Sequence, residues 1–219
     1  MENSSAPKEG AVEREPRGAR RKRATRAKLI EAAFRLMAGK GMEGVAINEI
    51  TEAADVGFGS FYNHFDSKEA IYEAVVESVF EDFADSLDRL VAGVTDSAEV
   101  VSVSIRHTVM RAEREPLWGQ FLIREALSLR SIERGLGRRL FRDIRNGIQA
   151  GRFASADPFM SFLSVGGTVL VSIAVAITDV RDPQLSRDHL PERSAATALR
   201  ILNVDPNEAD EIARRPLPR

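Results

Sequence analysis

From Thr25 to about Leu202, apolar residues recur at the spacing of a helix and show no sustained alternation with a period of two. Ile30, Ala33, Phe34 and Met37 stand at i, i+3, i+4 and i+7, so one helix face collects them while the other stays polar. Ile71, Val75, Val79, Phe83, Leu87 and Leu90 extend the pattern through a longer segment. Such a chain cannot offer the alternating faces of a half-buried sheet, and the expected fold is all-α.

Turn and cap residues divide this pattern. Helices are expected from Thr25 to the Gly39/Gly41 pair, over Ile47–Ala54, over Phe58–His64 and from Ser67 to Val91, the last capped by Asp66 with Glu69 completing a capping box. Later helices are expected over Ala98–Arg114, Pro116–Leu129, Ser131–Gln149, Asp157–Thr178 and Glu192–Leu202. Residues 1–23 are polar and rich in Gly, Pro and Ala, and are expected to form a flexible basic arm. Residues 205–219 contain Pro206, Pro216 and Pro218 and are expected to fray as a tail. Between them the chain reads as a small helical unit, 24–66, and a larger one, 67–204.

The formal net charge is −2, which by itself argues against a nucleic-acid partner. Its distribution argues otherwise. Arg17, Arg20, Arg21, Lys22, Arg23, Arg26 and Lys28 follow one another with no acid between them, so any polyanion contact belongs at this end. The run is either a solvated tail or an arm that enters a DNA groove; a membrane surface is the rival target, but bulky apolar anchors beside it are lacking. The chain has no cysteine, which excludes disulfides, thiolate nucleophiles and cysteine-ligated metals. The three histidines, His64, His107 and His189, are far apart in sequence and give no local support for a metal site. No G-x-S-x-G, H-E-x-x-H or P-loop pattern occurs, and neither Gly57-Phe58-Gly59 nor Gly135-Leu136-Gly137 has a third glycine. An enzyme is therefore not expected, and neither is a cofactor.

Residues 159–178 carry no charge and are about long enough to span a bilayer. Ser161, Ser164, Gly166, Gly167, Thr168 and Ser172 interrupt them, Asp157 and Asp179 flank them, and no Lys/Arg bias marks one side. The expectation is a buried helix of a soluble bundle with no membrane partner. The basic N-terminal residues are not followed by the apolar stretch of a secretory signal, and a cytoplasmic location is expected.

Two short helices joined by a tight turn form a helix-turn-helix when the second can enter the major groove. Ile47–Tyr72 has this form, and Val56-Gly57-Phe58-Gly59-Ser60-Phe61-Tyr62-Asn63-His64-Phe65-Asp66-Ser67-Lys68-Glu69-Ala70-Ile71 resembles the recognition segment of the TetR family of bacterial repressors. The resemblance covers about Thr25–Ile71. It departs from the family at Asp55, where Gly is usual; at Gly57, where Ser or Thr caps; and at Ala46, where Thr is frequent. Asp tolerates a left-handed turn and Gly is an acceptable cap, so only the hydroxyl contact at Ala46 is lost.

The resemblance implies a three-helix DNA-binding domain followed by a helical domain that dimerises and binds a small molecule. Gly57 would cap the recognition helix within the DNA-binding segment, and Gly59, without a side chain, would let the helix approach DNA closely. Ser60, Tyr62, His64 and Lys68 would reach phosphates, with Arg23 and Arg26 supplying charge from the N-terminal side. Phe58 would lie against a thymine methyl, Asn63 would read adenine or touch only backbone, and Asn48 would add a contact. Phe61 and Phe65 are expected in the core.

A single recognition helix reads few bases, so a homodimer on palindromic double-stranded operator DNA is expected. The family's dimer is built from its last two long helices, which places Ser164, Gly167, Val171 and Leu199 at the interface; the alternative for the uncharged helix is the centre of one subunit. His107, Met110, Trp118, Phe121 and Leu122 are the expected lining of a cavity for an apolar or amphipathic effector. The expected function is a ligand-responsive repressor; an activator, or a reader whose main partner is another protein, are the alternatives.

Overall fold

The computed structural model describes residues 16–126, 134–178 and 186–218, and among these there are helices and no strand. Helix α1 spans Arg17–Lys40, α2 Ile47–Ala53 and α3 Phe58–Tyr62. Their inward residues meet in one small core: Leu29, Ala33 and Met37 from α1, Ile50 from α2, Phe61 from α3 and Phe65 just beyond it, all nearly inaccessible. Gly41 ends α1 at a positive φ of 75°, which favours glycine, and its N–H donates to Met37 O.

α4 (Lys68–Val76) continues through a single π-helical turn, Glu77–Glu81, into α5 (Asp82–Val91). The cap of α4 differs from expectation. Ser67, not Asp66, occupies the N-cap, and its Oγ accepts from the Ala70 N–H at 3.2 Å, so Lys68 becomes the first helical residue. α6 (Ser97–Arg114), α7 (Pro116–Ala126), α8 (Gly135–Gln149), α9 (Pro158–Ile177) and α10 (Leu190–Ile201) follow close to the spans read from spacing. Leu127–Leu129 and Ser131–Glu133, also expected to be helical, lie outside the described residues. α9 lies at the centre of this half, packed on α6, α7, α8 and α10, while α1 packs on α4 and α7.

Two expectations at the chain ends are corrected. The basic segment Arg17–Arg23 is not an arm but the first two turns of α1. Ala, Arg and Lys are strong helix formers, and a helix already nucleated on the buried Leu29–Ala38 face propagates outward at little further cost. Residues 1–15 of the expected arm lie outside the described residues. At the other end the expected tail contains α11, Pro206–Arg214, whose Ala209, Ile212 and Ala213 are buried against α6 and α10. Pro206 is not a breaker but the first residue of the helix, and Asp205 Oδ1 caps it by accepting from the Asn207 and Glu208 N–H groups at 2.9 and 3.2 Å. Arg106, almost fully buried, ties this helix down by donating to Arg215 O at 2.7 Å.

Candidate functional site

The turn between α2 and α3 has the geometry its residues permit. Asp55 adopts φ 54°, the left-handed conformation its short polar side chain tolerates, and Gly57 caps α3 in extended conformation. Without a hydroxyl at Ala46, the Glu49 carboxylate alone closes the start of α2, accepting from the Ala46 N–H at 2.9 Å and pairing with Lys40. The Glu49 pair with Lys40 ties the start of α2 to the end of α1.

The outer face of α3 is apolar, aromatic and open. Phe61 and Phe65 point inward as expected, whereas Phe58 and Tyr62 are 54% and 50% exposed and meet edge to face at 5.7 Å. A Cβ built on Gly57 or Gly59 would meet nothing within 4 Å, so both mark free approach to the backbone. Asn48 and Asn63 are exposed, and Ser60 and His64 are half-buried. Lys68, half-buried, reaches Glu43 at 3.8 Å. From α1, the Arg26 guanidinium lies 4.9 Å over the Phe65 ring, and Arg23 is exposed one turn earlier. Burial, followed by the nearby Lys22 and Arg26 charges, pushes the His64 imidazole below its usual range. Of the residues named for DNA contact, the structure brings Arg26 over Phe65 just beyond α3 and sets Phe58 against Tyr62 on its outer face.

Behind α4 lies a cavity of about 180 Å³, lined from α4, the π turn and α5 through α9. Of the five residues expected to line it, Leu122 does so. Trp118 and Phe121 are instead core. The Trp118 indole donates to Val79 O at 3.3 Å and packs against Phe80 and Phe83, and Phe121 is held between the Phe80 ring at 5.3 Å and the Phe34 ring at 5.5 Å. On α6 the cavity face is Val101, Ser104, Ile105 and Thr108, a single helical stripe, so His107 and Met110 are turned away from it.

The polar lining was not read from sequence. Glu73, Glu81, Asp88, Glu125 and Asp143 stand around the cavity with Arg134 and Arg139. Arg139 donates to Glu81 and Asp88 at 2.8 Å each and also holds Asp85, while Arg142 joins Asp88 at 2.7 Å to Asp143 at 2.8 Å. Glu81 additionally accepts from the Gly135 N–H at 2.6 Å, placing an anion at the N-terminus of α8. Across the cavity the Tyr72 hydroxyl donates to Glu125, and Arg134 pairs with Glu73.

Burial opposes ionisation of Glu81 and Asp88, yet hydrogen bonds from Arg139, Gly135 and Arg142 hold both carboxyls below their usual range. Asp143 goes the other way: burial pushes its carboxyl up, and the Arg142 pair does not offset this. The available sequence signal was Asp143 itself, a charge on the same face of α8 as Leu136, Leu140 and Gly147.

The expected dimer residues divide. Ser164, Gly167 and Val171 lie exposed on α9, continuous with exposed Phe159, Met160 and Leu163. Leu199 is corrected: it is fully buried inside the subunit on the inner face of α10. By length and composition α9 is apolar enough to cross a membrane, but Phe162, Val165, Val169 and Ile173 on its other face are part of the protein core.

Comparison with known proteins accords with this arrangement. Residues 29–75 match the family model for bacterial regulatory proteins of the tetR family, and residues 96–215 match the tetracyclin repressor-like C-terminal domain. The HTH-type transcriptional repressor DhaR of Mycobacterium sp. (strain GP1) is 37% identical over 92 residues, a match spanning 42% of this chain and 44% of DhaR. The crystal structure of RolR in complex with resorcinol superimposes with a TM-score of 0.68 at 36% identity, covering 92% of this chain and 98% of RolR. FadR of Bacillus subtilis, crystallised with stearoyl-CoA, shares the fold at 18% identity, with a TM-score of 0.65 over 80% of this chain and 97% of FadR. With both halves matched and a helix-turn-helix exposed at one end, the chain belongs to the TetR family of bacterial regulatory proteins, a family of transcriptional regulators and not of enzymes.

Proposed function

We propose that this protein is a repressor that binds palindromic operator DNA as a homodimer and leaves it when a small apolar or amphipathic effector fills the cavity behind α4. The outer face of α3 carries the reading. Exposed Phe58 and Tyr62, open Gly57 and Gly59, and the cations Arg26 and Lys68 provide apolar contact for base edges, close backbone approach and charge for phosphates. Ser60, Tyr62, His64, Lys68, Arg23 and Arg26 hold the DNA backbone; Phe58, Asn63 and Asn48 face bases. The helical form of Arg17–Arg23 makes this charge a rigid rod continuous with α1.

The exposed stripe Met160, Leu163, Ser164, Gly167 and Val171 on α9 is covered by a second copy and not by lipid, because the opposite face of the same helix is committed to the protein core. The similarity to RolR through the effector half supports response to a small molecule, and the similarity to the repressor DhaR supports repression. Effector binding shifts the population of dimers away from the one whose two α3 helices match successive major grooves. The protein acts in the cytoplasm, where its operator is.

The test is selection of binding sites from a random duplex library with purified protein at physiological salt. An enriched inverted repeat is expected; salt-sensitive binding without enrichment refutes the reading. Deleting the gene should then raise transcription from a promoter carrying that repeat.

A further inference from the structure

Building on the reading that α3 enters the major groove of an operator, we infer that it reads each half-site through A·T pairs, with the Phe58 ring on a thymine 5-methyl group, and that it carries no dedicated reader for guanine or cytosine. The first observation is what the segment lacks. From Val56 to Phe65 there is no Lys, Arg, Gln, Asp or Glu. Guanine is specified most often by Arg or Lys on its O6 and N7, and cytosine by a carboxylate accepting from its N4 amino group. α3 supplies neither. The cations assigned to this region stand on other helices. Arg26 of α1 lies over the Phe65 ring, beyond the end of α3, and Lys68 opens α4 and reaches Glu43. In those places they serve phosphates, which position the protein without reading sequence.

The second observation is what the helix presents. Phe58 is its first residue, and in a helix-turn-helix the N-terminal residues of the second helix meet base edges. The ring is exposed and has no polar atom, so it has nothing to offer a donor or acceptor on a base and gains by covering a methyl group. Thymine is the base that presents one in the major groove. Tyr62, one turn on, meets the Phe58 ring edge to face at 5.7 Å and itself packs on buried Phe61 at 5.3 Å, so the Phe58 ring is supported before DNA arrives. A Cβ on Gly57 or Gly59 would meet nothing within 4 Å, which leaves the backbone on either side of Phe58 unobstructed.

The polar side chains of the segment agree. Ser60 is half-buried and suits any base edge, and His64 is half-buried with its Nδ1 enclosed. Asn63 is exposed and offers the amide that matches N6 and N7 of adenine. The apolar reader and the hydrogen-bonding reader therefore select the same base pair.

Duplexes carrying the inverted repeat selected by the purified full-length protein test the inference. Uracil replaces thymine at one symmetric pair of positions at a time, which removes the 5-methyl group and leaves base pairing intact, and binding is followed by fluorescence anisotropy at fixed salt. One pair of positions is expected to lose affinity about fifteenfold, or about fourfold per half-site, as for one buried methyl group. At that position 5-methylcytosine is expected to bind more tightly than cytosine, which separates the methyl group from the shape of the A·T pair. Phe58→Ala is expected to abolish both effects, and thermal unfolding checks that it folds. Phe58→Arg, whose added charge keeps binding measurable if Phe58→Ala binds too weakly, is expected to be equally indifferent to uracil. An operator whose thymines all tolerate uracil overturns the inference, and so does a uracil effect that persists in both variants. An enriched repeat with either result leaves the operator reading standing and refutes the A·T assignment alone, whereas no enriched repeat refutes both.

Discussion

The edge-to-face contact between Phe34 on α1 and Phe121 on α7 joins the DNA-reading unit to the effector unit. The ring centroids are 5.5 Å apart at 82°, and the other face of Phe121 stacks on Phe80 of the π turn at 5.3 Å and 12°. Phe80 also lines the cavity, so three rings run from the cavity wall to the helix that carries Arg23 and Arg26. Phe121 is fully buried, and Phe121→Leu should cost about 1–3 kcal/mol, below the roughly 3–5 kcal/mol of truncation to Ala. Phe34 is half-buried, so Phe34→Leu should cost less.

An aromatic pair contributes about 0.5–1.5 kcal/mol beyond the area it buries, and the double variant should therefore be more stable than the sum of the singles predicts by that amount. Urea unfolding of all four proteins at one protein concentration measures it, since dimer stability depends on concentration. If the rings also carry the response, Phe34→Leu will leave effector affinity nearly unchanged while weakening effector-driven release of DNA. Additive singles, within about 0.3 kcal/mol, would show that the contact is incidental. So would a Phe34→Leu protein that releases DNA normally.

Other outcomes follow from single contacts. Gly147→Ala places a Cβ 2.2 Å from the buried Phe153 ring, and a loss of about 1–3 kcal/mol is expected in thermal or urea unfolding; an unchanged midpoint would mean that α8 and the Phe153 loop separate freely. Lys68→Ala and Arg26→Ala should each weaken binding to all DNA sequences alike and lower the salt slope by about one, while Asn63→Ala should relax preference at particular bases; a uniform loss makes Asn63 a backbone contact. His64 is held below its usual pKa, first by burial and then by Lys22 and Arg26. Between that lowered value and the unfolded value near 6.5 the unfolded chain binds more protons, so stability rises with pH through this window and is lost as pH falls through it. His64→Gln should flatten that loss in unfolding curves taken from about pH 7 down to about pH 5; an unaltered slope assigns the effect to His107, shifted in the same direction by burial and by Arg114 and Arg106.

Local pattern by itself determined the helices and the reader. Apolar periodicity placed α2, α3, α6, α9 and α10 within about two residues and the end of α1, though not its start at Arg17; a left-handed Asp55 was legible from its place in a tight turn, and Phe61 and Phe65 were legible as core. These properties depend on neighbours within one or two turns, and such neighbours are adjacent in sequence. The sequence also marked Gly167 and Val171 on an apolar face, but could not say that Leu199 points the other way, because its helix is apolar on the face that α6 and α9 cover.

Tertiary structure decided the rest. Charged residues on α5 and α8 look like solvated faces until Arg139 meets Glu81 and Asp88 across more than fifty residues of chain, and only then do they become the wall of a cavity. The π turn shows no composition of its own, yet it places Phe80 between the cavity and Phe121 and presents Val79 O to Trp118. α11 read as tail because nothing local reveals the groove between α6 and α10 that buries Ile212. Periodicity tells a helix which face to hide; only packing of distant segments determines what that face is hidden against, and where a charge becomes enclosed.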